Sequence, residues 1–77
     1  MRTAAPDDAA AIALELLHHS LRLGHRRLSV ARLEMAATLH AGVTEGNFRR
    51  CLALVQKIDD AALQQRVINV GRYLGYL

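Results

Sequence analysis

The chain has one cysteine, one proline, no tryptophan and only three aromatic residues, Phe48, Tyr73 and Tyr76. A single thiol, Cys51, cannot close an internal disulfide, so nothing in the composition calls for an oxidising compartment. No apolar run approaches the roughly 20 residues that span a bilayer. The opening Met1-Arg2-Thr3-Ala4-Ala5-Pro6-Asp7-Asp8 places two acids where a secretory signal would carry its apolar segment. Membrane insertion is therefore not expected, and a cytoplasmic location is. β-branched residues are few and strand-like alternation is missing, which counts against sheets.

What remains is an alphabet for helices. Thirteen Leu and 13 Ala dominate the 77 residues, and unbranched side chains lose little rotamer freedom in a helix. The length allows one domain, residues 1–77. A chain this short buries only about 60% of its unfolded surface, so help from a partner or a second copy is expected. Ten basic residues, nine of them Arg, stand against seven acidic ones for a net charge of +3. An excess this small serves solubility as readily as phosphate binding.

Pro6-Asp7-Asp8 suits a helix start, where unpaired N–H groups and the dipole favour negative charge. Ile12, Ala13, Leu14, Leu16, Leu17, Leu21 and Leu23 then share an arc wider than one neighbouring helix would cover. Gly24 closes this first helix. After the basic turn His25-Arg26-Arg27, a second helix is predicted from about Leu28 to His40. Leu28, Ala31, Met35 and Leu39 line one side of it and Val30, Leu33 and Ala37 another, so it should be a central helix packed on two sides. Gly42 is expected to end it.

Thr44 or Asn47 can cap the third helix. Phe48, Cys51, Leu52, Val55 and Ile58 form its apolar face, with Arg49, Arg50, Ala53, Gln56 and Lys57 opposite. Asp59-Asp60 caps the fourth, whose Leu63, Val67, Val70, Leu74 and Leu77 repeat at spacings of four and three, the seam of a helix laid along another. The predicted fold is all-α: four short helices forming two antiparallel hairpins of tetratricopeptide-like type.

Catalytic constellations are hard to find. His18, His19, His25 and His40 match no metal-ligand spacing, and surface placement is the simpler expectation. Cys51 falls on an apolar face without an adjacent base, as a buried structural thiol would. Of the acids, Asp7, Asp8, Glu15, Glu34, Glu45, Asp59 and Asp60, most sit at helix starts, where capping accounts for them. No phosphate-cradling glycine loop occurs, and no enzyme activity, cofactor or metal is expected.

Two binding readings remain. In one, Ala37 to Cys51 forms a helix-turn-helix unit that presents Arg49 and Arg50 to DNA, with the fourth helix dimerising the protein. The other starts from helix pairs joined by Leu-Gly turns. Gly46-Asn47-Phe48-Arg49-Arg50-Cys51-Leu52-Ala53-Leu54, Asp59-Asp60-Ala61-Ala62-Leu63 and Arg72-Tyr73-Leu74-Gly75 resemble the tetratricopeptide-like co-chaperones of type III secretion needle subunits. Arg22-Leu23-Gly24 and Ala31-Arg32-Leu33 through Leu39-His40-Ala41-Gly42 are similar to the preceding hairpin. The resemblance covers most of residues 10 to 75, with a few-residue insertion near Val43 to Glu45.

That resemblance implies a cytoplasmic chaperone or adaptor. It would pair with a small helical co-chaperone and hold the amphipathic helix of a secreted subunit in an apolar groove. The candidate partner-binding residues are Leu14, Leu17 and Leu21 on the first helix, Phe48, Leu52 and Val55 on the third, and Tyr73 and Tyr76 at a rim. Ordinary core packing is the competing role for each of them.

Overall fold

A computed structural model describes residues 6–77 of the chain, with side chains from Asp8 onward. The expectations for residues 1–5 and for the side chain of Asp7 fall outside that range. Four α-helices follow one another: α1 (Pro6–Leu23), α2 (Arg26–Thr38), α3 (Glu45–Gln56) and α4 (Ala61–Leu74). Among the described residues there is no strand, and the helices pair as two consecutive hairpins, α1 with α2 and α3 with α4. Central α2 touches all three other helices, but it does so with one side only: Val30, Leu33 and Ala37 are buried, whereas Leu28, Ala31, Met35 and Leu39 on the other predicted side are exposed, because a single broad face of the helix meets all its neighbours.

Local chemistry sets most of the boundaries. Gly24, at φ 69°, turns the chain out of α1 while the His25 N–H donates to the Ser20 carbonyl at 3.1 Å. At α3 the Thr44 hydroxyl accepts from the Asn47 N–H and the Asn47 carboxamide oxygen accepts from the Thr44 N–H, both at 3.1 Å. These reciprocal bonds satisfy two otherwise orphaned donors. Asp60 caps α4 by accepting from the Leu63 N–H at 3.0 Å.

Four boundaries depart from the sequence reading, the first being the start of α2 at Arg26, which takes Arg26 and Arg27 out of the predicted turn and into the helix. Helix α2 stops at Thr38, because His40 adopts the left-handed conformation (φ 53°) and the Ala41 N–H reaches back to the Ala36 carbonyl at 2.9 Å. Gly42 lies in the following loop. Helix α3 ends at Gln56, and the Gln64 carboxamide of α4 donates to the carbonyls of Val55 and Ile58 at 3.1 and 2.9 Å, capping α3 from a distance. Helix α4 ends at Leu74, where Gly75 (φ 82°) turns the chain, so Leu77 leaves the predicted seam and is 58% exposed.

Leu17, Leu33, Phe48, Val55 and Val67 are fully buried and hold the four helices on one core. Ala13 and Ser20 on α1, like Ser29 and Ala36 on α2, are buried at seven-residue spacing, and side chains this small let helices approach closely. On the other flank of α2, Arg66 of α4 makes a two-pronged ion pair with Glu34, its Nε lying 3.1 Å from Oε2. The carboxylate holds the Arg66 guanidinium more firmly protonated than usual, mainly through these hydrogen bonds. Both side chains remain partly exposed, so the pair adds at most ~1 kcal/mol.

Candidate interaction surface

The wide apolar arc of α1 splits into two faces. Ala13, Leu17 and Leu21 turn inward to the core, whereas Ile12, Leu16 and Leu23 are left exposed. Spacings of four and seven put these three on a single stripe along the helix. Helix α2 repeats the division: Val30, Leu33 and Ala37 are buried, while Leu28, Met35 and Leu39 are exposed at spacings of seven and four. On α1 the exposed stripe lies off the side buried against α2 and α3, and on α2 it lies off the side buried against α1, α3 and α4. Both stripes therefore belong to the solvent-facing surface of the α1–α2 hairpin.

Six large apolar side chains, each between 37% and 54% exposed, make up this face. Together they present on the order of 500 Å² of apolar surface, large for one patch on so small a protein. Charges of both signs flank it: Asp8, Glu15 and then Arg22 follow one another around α1 beside its stripe, and Arg32 borders the stripe of α2. Arg22, Arg26, Arg27 and Arg32 belong to the same hairpin and form no ion pair among the described residues, unlike Arg49 and Arg66. His19 falls within the α1 stripe, and Glu15 is the acid beside it. An open groove of about 610 Å³, lined by Glu15, Leu16, His18, His19, Arg22 and Arg50, continues the face toward α3.

The partner-binding residues chosen from sequence are mostly elsewhere. Leu17, Leu21, Phe48 and Val55 are buried in the monomer core, and Leu14 and Leu52 are half-buried against it. A partner could reach the buried four only if the fold opened. Tyr76 is engaged within the chain: its hydroxyl donates to the Val43 carbonyl at 2.7 Å and its ring lies 6.0 Å from that of Phe48. Tyr73, 57% exposed and 6.4 Å from the His40 ring, is the one member of the set that stands open. Sequence reading placed Ile12, Leu16 and Leu23 on the α1 arc, and Leu28, Met35 and Leu39 together on α2, without assigning those stripes to a partner.

Arg49 and Arg50 are both exposed on α3, but Arg49 Nε donates to Glu45 Oε2 at 2.8 Å, while Arg50 faces the groove beside α1. The two cations thus have different neighbours. Cys51 is fully buried, and burial pushes its thiol up to about 12, with the nearby Arg50 charge opposing weakly. All four histidines are exposed, and no group of three or more His, Cys, Asp or Glu among the described residues is placed to hold a metal ion. No described helix is long and apolar enough to cross a membrane.

Compared with known proteins, the chain matches no family model, no curated protein and no solved structure.

Proposed function

We propose that this protein is a small non-catalytic helical adaptor that docks an amphipathic helix of a partner protein on the outer face of its α1–α2 hairpin. The paired stripes Ile12, Leu16, Leu23 and Leu28, Met35, Leu39 carry the reading, since helix-in-groove recognition needs apolar side chains that the chain leaves uncovered. Two antiparallel helices form a shallow trough between them into which a third can settle. Following the resemblance to needle-subunit co-chaperones, the partner would be a small helical co-chaperone or a secreted helical subunit, held in the cytoplasm before assembly.

Affinity capture with the intact chain and with a Leu16→Asp/Met35→Asp variant tests this. Both substituted positions are exposed, so the variant should keep its helical circular dichroism. A helical protein recovered at fixed stoichiometry by the natural chain, lost in the variant and unaffected by nuclease supports the adaptor. Partner recovery that survives the double substitution rejects it, and recovery of a specific DNA segment in its place turns attention to Arg50 on α3.

A further inference from the structure

We infer that the outer α1–α2 face closes on the same face of a second copy of this chain, giving a two-fold symmetric dimer. This rests on the reading of that face as a docking surface and adds what covers it while no partner helix is in place. Helical register puts the two stripes on one side of the hairpin. Going round α1 from Ile12, Leu16 and Leu23, the next positions are Ser20 and Ala13 and then Leu17 and Leu21, all four of them buried. Going the same way round α2 from Leu28, Met35 and Leu39, they are Ala36 and Ser29 and then Leu33, Ala37 and Val30. The small residues form the seam of the hairpin: Ala13 and Ala36 stand equally far from the turn at Gly24 and His25, and so do Ser20 and Ser29. Two antiparallel helices that present stripe, seam and core in the same order turn their stripes to the same side.

The rest of the described surface offers a second copy nothing comparable. Helix α3 exposes Arg49, Arg50, Ala53, Gln56 and Lys57 and no large apolar side chain, and α4 exposes Tyr73 alone of that kind. A head-to-tail stack would lay leucines on charged side chains. Face against face, each copy covers apolar surface with apolar surface, and the contact closes without an open end. The charges allow it. Asp8 and Glu15 flank the α1 stripe, Arg32 borders that of α2, and Arg22 lies beyond Glu15, so acids and bases are near balance and one copy does not repel another. Arg26 and Arg27 leave α2 in other directions.

Two faces that each present on the order of 500 Å² of apolar surface bury on the order of 1,000 Å² on closing, before their polar flanks are counted, which is where specific interfaces begin. A chain of 77 residues hides little of its own surface, and a second copy supplies the helix layer that its outer face lacks. A partner helix then gains the face as the dimer opens.

The test is sedimentation equilibrium of the full chain, natural and substituted, across a wide concentration range. The expected result is a monomer–dimer equilibrium, the dimer at twice the 8.5 kDa of one chain, with a dissociation constant in the micromolar range. Leu16→Asp and Met35→Asp, both at exposed positions and checked for folding by circular dichroism, should each weaken the dimer by at least roughly tenfold, since each sets a carboxylate against apolar side chains. Ala53→Asp, on the outward side of α3, should leave the dimer unchanged, and so should high salt, because apolar contact carries it.

A monomer at every concentration overturns the inference and leaves the docking surface to the capture experiment, which does not depend on self-association. A dimer that survives both Leu16→Asp and Met35→Asp, or one that Ala53→Asp dissolves, places the contact elsewhere and also overturns it. Growth into longer oligomers does the same, because a face that pairs with itself stops at two. A dimer that the two face variants alone dissolve upholds the inference even where capture recovers no partner, so the two readings fail separately.

Discussion

The Phe48 ring rests against the bare backbone of Gly71: a Cβ added at Gly71 would lie 2.5 Å from Phe48 Cζ and 2.7 Å from Cε1. Gly71 sits inside α4, where glycine costs about 1 kcal/mol relative to alanine, and φ there is ordinary. Its presence is explained by the space the ring needs. Gly71→Ala should therefore destabilise the fold despite its better helix propensity, by about 2 kcal/mol net, because the fully buried ring must shift. Thermal unfolding of Gly71→Ala, Phe48→Leu and the double variant checks it. The double variant should lose less than the sum of the singles.

Tyr76 locks the end of the chain to the α2–α3 loop through its 2.7 Å hydrogen bond to the Val43 carbonyl. Tyr76→Phe keeps the ring contact with Phe48 but leaves that carbonyl without this partner, and should cost about 1 kcal/mol in urea unfolding. Tyr76→Ala removes the ring as well and should cost about 3 kcal/mol.

Ser29 is fully buried on α2 and its hydroxyl has no hydrogen-bond partner among the described residues. Ser20, equally buried on α1, instead donates to the Leu17 carbonyl at 2.9 Å. Ser29→Ala removes a desolvated hydroxyl at almost constant volume and should stabilise the protein by about 1 kcal/mol, whereas Ser20→Ala should be close to neutral. A rise in the urea midpoint for the first variant alone is the expected outcome.

Cys51 makes stability depend on pH in the alkaline range. Burial raises its folded-state pKa to about 12 from an ordinary 9.0, so the folded protein holds its proton where the unfolded chain has released it. This contribution is fully present below pH 9.0 and is lost as pH rises toward 12, at no more than about 1.4 kcal/mol per pH unit. Cys51→Ala should flatten that part of the stability profile. Alkylation of Cys51 at neutral pH should proceed only at the rate at which the chain opens.

Periodicity and capping made four helices and two hairpins legible before any coordinates. Gly24, Thr44 with Asn47, and Asp60 mark boundaries by chemistry that is local in sequence, so spacing was enough to find them. The boundaries read less well are set by the rest of the fold. Ile58 reads as part of α3, yet Gln64 from another helix donates to the carbonyls at its end. His40 takes the left-handed conformation that a sequence reading gives to a glycine.

The candidate surface was legible only in part, for a reason that holds for any helix with apolar residues over more than half its circumference. Sequence alone determined that α1 and α2 each carry more apolar surface than one neighbour can cover, because residue spacing fixes the angle at which each side chain leaves its helix. It also determined the excess of arginine around the hairpin turn. Which part of each arc faces the core was decided by the tertiary structure. Burial of Leu17 rather than Leu16, and of Leu33 rather than Met35, depends on how four helices share one core, and that is a property of their mutual packing.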